Sequence, residues 1–316
     1  MWTVVACLIP PLLLSVFVFG IQVLLITAVS VASCVAVEAA SQKMLGRRVT
    51  VRDGSAVITG MLLAFVIPPG VSPLLPVLGA VMAIYIGKHV LGGIGYNIFN
   101  PALLGRAFLL ATFPVAMTSA WLPPLKDIAV FSYLGEGINA VSTATPLAVI
   151  KEQGMAAFTE MFGSGASLYS SFFLGWRPGC IGETSGFLIV LGGLYLMYRK
   201  YITWHIPVSV IGTVALLSWI FAGDTYFTGD PLLAVLSGGV LLGAFYMAND
   251  YVTCPSNKIS QLVYGVGIGA LTVMIRLKGG YPEGICYAIL LMNAMSPVLD
   301  GWFKPRRFAP PVGGGR

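Results

Sequence analysis

Thr59-Gly60-Met61-Leu62-Leu63-Ala64-Phe65-Val66-Ile67-Pro68-Pro69 reads as an apolar helix that stops at a proline pair. A second stretch, Ser237-Gly238-Gly239-Val240-Leu241-Leu242-Gly243-Ala244-Phe245, is a counterpart to its opening and runs on to Asn249-Asp250. Each is followed by a polar break and a further apolar run, at Asn97-Ile98-Phe99-Asn100-Pro101 in the first half and Gly280-Tyr281-Pro282-Glu283-Gly284 in the second. If these mark equivalent places in two halves with an odd number of membrane spans each, the halves lie inverted in the bilayer, as in many transporter folds. Chance similarity between Gly/Leu-rich helices is the competing account.

Composition decides the solvent. The chain is 57% hydrophobic and 9% charged, with a mean hydropathy of +0.88, far from the roughly one quarter charged residues of soluble domains. Spans of about 20 apolar residues fall near 2 to 19, 20 to 41, 54 to 69, 73 to 93, 101 to 122, 185 to 199, 202 to 222, 232 to 249, 259 to 276 and 281 to 299. The expectation is an all-α polytopic membrane protein of about ten transmembrane helices, arranged as two inverted five-helix repeats like those of ammonium and urea transporters. It forms a single membrane domain over 1–316, with a first helix group to 122, a loop region from 123 to 184, a second helix group from 185 to 300 and a tail from 301.

Lysine and arginine near helix ends mark the cytoplasmic side. Lys43, Arg47, Arg48, Arg52, Arg106, Arg199, Lys200, Lys258 and the basic tail (Lys304, Arg306, Arg307, Arg316) share one side if the amino terminus is inside, whereas the loop from 123 to 184 holds only Lys126, Lys151 and Arg177. Both termini are thus expected in the cytoplasm and the loop outside. The net charge of +6 is a topology signal and gives no reason to expect nucleic acid as a partner. The first span starts at Met1 without a basic leader or a small-residue cleavage site, so it reads as a retained helix. Five cysteines, at 7, 34, 180, 254 and 286, lack metal-ligand spacing. They argue against a disulfide framework and against an iron–sulfur or zinc site made by this chain alone.

Within the outer loop, Asn139-Ala140-Val141-Ser142-Thr143-Ala144-Thr145-Pro146-Leu147 is small and hydroxyl-rich. It reads either as a solvated Ser/Thr turn or as a place where one hydroxyl is accessible to a bulky reagent, with Pro146 discouraging a helix through it. Polar residues at membrane depth are expensive. Glu38, Asp53, Lys88, His89, Asn97, Asn100, Glu183, Asp250, Arg276, Glu283, Asn293 and Asp300 all lie in or at the ends of apolar spans. Capping or interfacial roles account for Asp53, Asp250 and Asp300. A snorkelling lysine explains Lys88 but not its clustering with His89. Asn97 and Asn100 place two amides at a helix start, able to hold a carbonyl-rich or anionic ligand; an N-cap with one spare amide is the plainer reading.

Six ordered segments carry a resemblance: Asp53-Gly54-Ser55-Ala56-Val57-Ile58-Thr59-Gly60; Gly87-Lys88 through Gly92-Gly93; Asn97-Ile98-Phe99-Asn100-Pro101-Ala102 with Gly105-Arg106-Ala107-Phe108; Ser142-Thr143-Ala144-Thr145-Pro146-Leu147; Gly182-Glu183-Thr184-Ser185; and Tyr281-Pro282-Glu283-Gly284 with Leu290-Leu291-Met292-Asn293. Together they resemble the RnfD/NqrB family, membrane subunits of the Rnf and sodium-pumping NADH:quinone oxidoreductase complexes. The compact outer loop and the run from Gly279 to Gly284 look closer to RnfD.

That resemblance implies an electron-carrying subunit of an ion-translocating ferredoxin:NAD oxidoreductase in a prokaryotic inner membrane, not a complete enzyme alone. It implies FMN esterified through its phosphate to Thr145, with Ser142, Thr143 and Ala144 as the supporting motif and an Mg-dependent FMN transferase, using FAD as donor, as a maturation partner. A second, non-covalent riboflavin follows, with Asn97, Asn100, Glu183 and Glu283 as flavin-lining candidates. Glu38 and Asp300 are candidates for a Na⁺ or H⁺ route. The chain has Asn139 where the motif commonly has an acid, Glu136 lying out of register, and it lacks the family's polar extension ahead of the first helix. A flavin-free solute channel of the ammonium/urea type is the alternative. It accounts for the repeat but gives no reason for the Ser-Thr-Ala-Thr loop.

Overall fold

Several helices in this chain start after a side chain that accepts from first-turn amides. Asn100, Ser185, Asp230 and Asn257 each accept a hydrogen bond from a backbone N–H two or three residues on, satisfying donors that a helix leaves orphaned. Pro101 and Pro231 then occupy the first helical position, where a missing N–H costs nothing. The computed structural model describes residues 1–124, 145–163, 165–223 and 225–303. All regular structure among them is helical.

The elements are α1 (Trp2–Phe19), α2 (Gln22–Met44), α3 (Ser55–Phe65), α4 (Leu74–Val90, π-helical from Val81), α5 (Pro101–Thr112), α6 (Pro114–Ser119), α7 (Pro146–Phe162), α8 (Ala166–Leu174), α9 (Gly186–Tyr198), α10 (His205–Phe221), α11 (Pro231–Leu236), α12 (Val240–Leu242, continuing as π-helical turns over Gly243–Met247), α13 (Lys258–Lys278) and α14 (Ile285–Trp302). Among the described residues α1, α2, α13 and α14 are long and apolar enough to cross a membrane. Shorter apolar helices are α3, α4, α5, α9 and α10. A helix of 12 residues such as α5 is only about 18 Å long, less than the ~30 Å hydrocarbon layer. Such a helix needs irregular backbone sheltered by neighbours to complete a crossing.

Several spans are accordingly shorter than hydropathy suggests. The apolar run from 54 to 69 is helical only to Phe65 and ends in the proline pair, and the run from 101 to 122 is divided at Phe113 before Pro114. The run from 232 to 249 is interrupted between Leu236 and Val240. Gly238 has φ +66° there, a left-handed conformation that costs glycine little. Arg276 closes the break by donating to Ala234 O (2.6 Å) and Ser237 O (2.9 Å). The two similar stretches therefore differ locally, Thr59–Phe65 lying inside a helix and Ser237–Gly239 at a break. Between 123 and 184, expected as loop, the described residues contain α7 and α8. Pro146 begins a helix there rather than preventing one.

Close approach between α2 and α3 depends on Gly60. A Cβ at that position would lie 2.6 Å from Val31 Cα, and Ser30 Oγ donates to Gly60 O at 2.7 Å. Small residues and interhelical hydrogen bonds are what hold helices together where lipid removes the hydrophobic drive.

The bundle has two polar ends. Met1, Ser55, Lys88, Asn97, Tyr201 and Asp250 surround one cavity, which sets the start of α1 and α3, the end of α4 and the segments after α9 and α12 at one end. Arg47 donates to Gly92 O nearby at 2.6 Å. At the other end Gly70 N donates to Ala120 O (3.1 Å) and Lys151 Nζ donates to Tyr281 O (3.1 Å) and to Gly279 O.

Candidate functional site

Three groups of polar residues are assembled by this packing. The first surrounds Thr145. Its backbone is extended (φ −68°, ψ 151°), it is buried, and its Oγ1 accepts from Ala148 N at 3.2 Å, making it the N-cap of α7. Leu147 reaches across to the break at Gly238, where a Cβ would sit 2.9 Å from Leu147 Cδ1, 3.1 Å from Arg276 Nη2 and 3.7 Å from Glu283 Cγ. Segments near 145, 238, 276 and 283, remote in sequence, thus meet in one place. Ser142, Thr143 and Ala144 lie outside the described residues.

The second group is a buried ionic cluster beside the first. Arg106 of α5 is ion-paired with Glu283, and both are buried. Cys180, Glu183 and Glu283 bring one ligand atom each within 4.8 Å of one another. Arg177 donates to Glu183 O at 3.1 Å and stacks its guanidinium 4.6 Å over Phe172. Glu183 Oε1 and the Nε atoms of Arg106, Arg177 and Arg276 have no hydrogen-bond partner among the described residues. Three guanidiniums thus face two carboxylates, a fixed positive excess in a region where charge is poorly screened. The Lys/Arg pattern puts Arg106 among the cytoplasmic-side residues and Arg177 in an outer loop. Both are instead turned into the protein, Arg106 toward Glu283, 177 residues away, and Arg177 toward the Phe172 ring and Glu183 O within its own stretch of chain. Glu183 and Glu283, expected at flavin-lining positions, are brought together here.

The third group sits at the opposite end. Glu38 is fully buried, and Lys88 Nζ donates to both its oxygens at 2.8 Å and to Ser55 Oγ at 2.7 Å. Lys88 therefore does not snorkel to water. It also lines a cavity of about 160 Å³ with Asn97, Asn100 and Asp250. Asn100 spends three of an amide's four bonds, its Oδ1 accepting from Ala102 N (3.0 Å) and Leu103 N (3.3 Å) and its Nδ2 donating to Met247 O at 3.1 Å. Asn97 donates to Phe99 O at 3.3 Å and shares the cavity wall with Asp250. Asp300 belongs to a separate network, accepting from Ser256 N (3.0 Å) and Asn257 N (3.5 Å), so the structure does not join it to Glu38. All five cysteines are free.

A chain with these three polar groups matches the model of the NQR2, RnfD, RnfE family over residues 1–309. It belongs to that family. Among family members it is similar to a subunit of the proton-translocating ferredoxin:NAD(+) oxidoreductase complex of Clostridium ljungdahlii, 47% identical over 309 residues and covering 98% of this chain and 90% of the relative. It is likewise similar to a subunit of the Na(+)-translocating ferredoxin:NAD(+) oxidoreductase complex of Acetobacterium woodii, 42% identical over 306 residues, with 97% and 89% covered. A subunit of the ion-translocating oxidoreductase complex of Stutzerimonas stutzeri is 36% identical, with 95% and 89% covered. The RnfD/NqrB resemblance drawn from sequence motifs is thereby shown along nearly the whole chain.

Proposed function

We propose that this chain is the flavin-carrying electron-transfer subunit of a membrane-bound, ion-translocating ferredoxin:NAD⁺ oxidoreductase complex, with FMN phosphoester-linked to Thr145. The observation that carries the reading is the position of Thr145, a hydroxyl at the amino end of α7 in a chain aligned along its length with subunits of such complexes. The first-turn amides and the helix dipole favour the negative charge of a phosphodiester. Attachment follows a balanced displacement: Thr145 Oγ1 attacks the flavin-side phosphorus of FAD, the anhydride bond breaks, AMP leaves, and the hydroxyl proton passes to the FMN transferase or solvent. The linked FMN supplies one- and two-electron carriage. Thr145 fixes the group, and the α7 amides hold its phosphate.

The same reading places the Thr145 end outside the inner membrane and both termini in the cytoplasm. The clustering of Arg47, Arg48, Arg52, Arg199 and Lys200 near the cavity end supports this by the positive-inside rule. An inverted five-plus-five arrangement, ten spans in all, pairs α1 to α5 with α9 to α14, α11 and α12 counting as one interrupted span; each half then contains π-helical turns. The cavity lined by Asn97 and Asn100 takes a non-covalent riboflavin, and a route for H⁺ or Na⁺ past Glu38 requires Lys88 to release it. The other subunits of the complex supply electron donor and acceptor.

The test is in-gel fluorescence on a denaturing gel after co-expression with an FMN transferase. A fluorescent band in the parent protein and in Ser142→Ala, lost in Thr145→Ala, is the expected pattern. A dark parent band, or a bright Thr145→Ala band, would refute the assignment.

A further inference from the structure

Beside the first turn of α7 lies a half-open cavity of about 280 Å³ bordered by α7, α10, α11 and α13. Its size is near the lower end of small-molecule pockets, ~300 Å³. Leu147, Ile150, Leu233 and Val273 give it apolar walls, and Arg276 and Lys151 supply its cationic lining. Leu147, Ile150 and Lys151 stand at helical spacing on one face of α7. Leu147 is two residues past Thr145, a rise of about 3 Å; Thr145 itself does not line the cavity, so the phosphate and ribityl chain of a flavin on Thr145 would have to bridge from the hydroxyl round the first turn of α7 to reach it.

The charges facing this space do not cancel. Arg276 donates to the carbonyls of Ala234 and Ser237, and its Nε has no partner among the described residues. Ion pairs among the described residues join Lys88 to Glu38 and Arg106 to Glu283 and do not include Arg276. Lys151 is likewise held by carbonyls. The opposing charges are Asp230, whose carboxylate accepts from Tyr169 Oη and from Leu233 N, and behind Arg276 the carboxylate of Glu283, which is already paired with Arg106. Among the lining residues themselves, two cations and one committed anion leave a net positive charge between apolar walls, with Glu283 outside the lining and taken up by Arg106. That combination suits a flat aromatic group that becomes anionic.

We propose that this cavity seats the isoalloxazine ring of the flavin on Thr145, with Arg276 against its pyrimidine edge, where negative charge collects on reduction. The proposal rests on the Thr145 assignment and adds the seat of the ring and the residue that tunes it. Arg276 makes no covalent bond and gives up no proton. It favours the reduced, anionic flavin over the oxidised, neutral one, and so raises the flavin's potential through charge near the ring.

The experiment is a dithionite titration of the covalent flavin in the purified complex, followed by absorbance at controlled potential. Arg276→Gln is expected to weaken binding of the first electron about tenfold, a negative shift of ~59 mV for a one-electron couple, while Arg276→Lys keeps the parent potential to within about a third of that. Because Arg276 also holds the α11 break, a second variant avoids it: Leu277→Trp, at a partly exposed cavity-lining position, is expected to make the native flavin accessible to iodide quenching. An unchanged potential in Arg276→Gln together with unchanged quenching in Leu277→Trp overturns the proposal. A persisting in-gel band in both variants shows that the attachment at Thr145 stands regardless, and a parent protein without that band defeats the attachment instead.

Discussion

Lys88 turns its ammonium inward onto Glu38, 2.8 Å from each carboxylate oxygen, and ties that pair to Ser55 at 2.7 Å. The two ions lie 50 residues apart on α2 and α4, and the pair joins those helices at the end where the Asn97 cavity opens. Breaking a buried pair from one side strands the other charge, at a cost of about 3–5 kcal/mol, whereas removing both charges is far milder. Lys88→Met should therefore lower thermal stability in detergent sharply, and Glu38→Gln/Lys88→Met should recover much of the loss. Size-exclusion profiles after stepwise heating read the difference.

Ion movement gives the same pair a functional test. Glu38→Gln in the assembled complex should slow build-up of the ion gradient at a matched rate of acceptor reduction. A normal gradient in that variant and in Asp300→Asn would put the route elsewhere. Asp300 is the weaker candidate of the two, because its carboxylate already serves the amides of Ser256 and Asn257.

Gly60 makes a packing prediction. With Val31 Cα only 2.6 Å from where a Cβ would stand and backbone on both sides of the contact, α2 and α3 must separate to admit even alanine. Overpacking of this kind costs about 1–3 kcal/mol. Gly60→Ala should show it as a lower unfolding temperature, and Gly46→Ala, a position with open space around it but a left-handed φ of +65°, should lose no more than the backbone strain of about 1–2 kcal/mol.

Hydropathy reveals the apolar helices because lipid imposes one requirement on every span. It draws the run from 232 to 249 through Gly238 because an apolar window does not register a left-handed glycine held by a distant arginine. Thr145-Pro146 carries a legible helix-start signal, a capping hydroxyl before a proline, which is easily mistaken for a stop. Arg106 and Glu283 are 177 residues apart. No local spacing connects them, so Arg106 looks like a topology marker in sequence when it is half of a buried pair. Asn100 is legible as a cap, since Asn before Pro at a helix start is a local pattern, but its second bond to Met247 depends on tertiary packing.

The two asparagines separate stability from flavin binding. Asn100 spends its side chain on the cap of α5 and on Met247 O, so Asn100→Ala should cost about 1 kcal/mol or more through the lost cap alone. Asn97 lines the same cavity, and its bond to Phe99 O leaves most of the four-bond capacity of an amide unspent. If riboflavin occupies this cavity, Asn97→Ala should lower the flavin released by acid from the purified complex while leaving the covalent band on the gel intact. Acid-released flavin at the parent level in Asn97→Ala, with unfolding also unchanged, would remove this cavity as the riboflavin site.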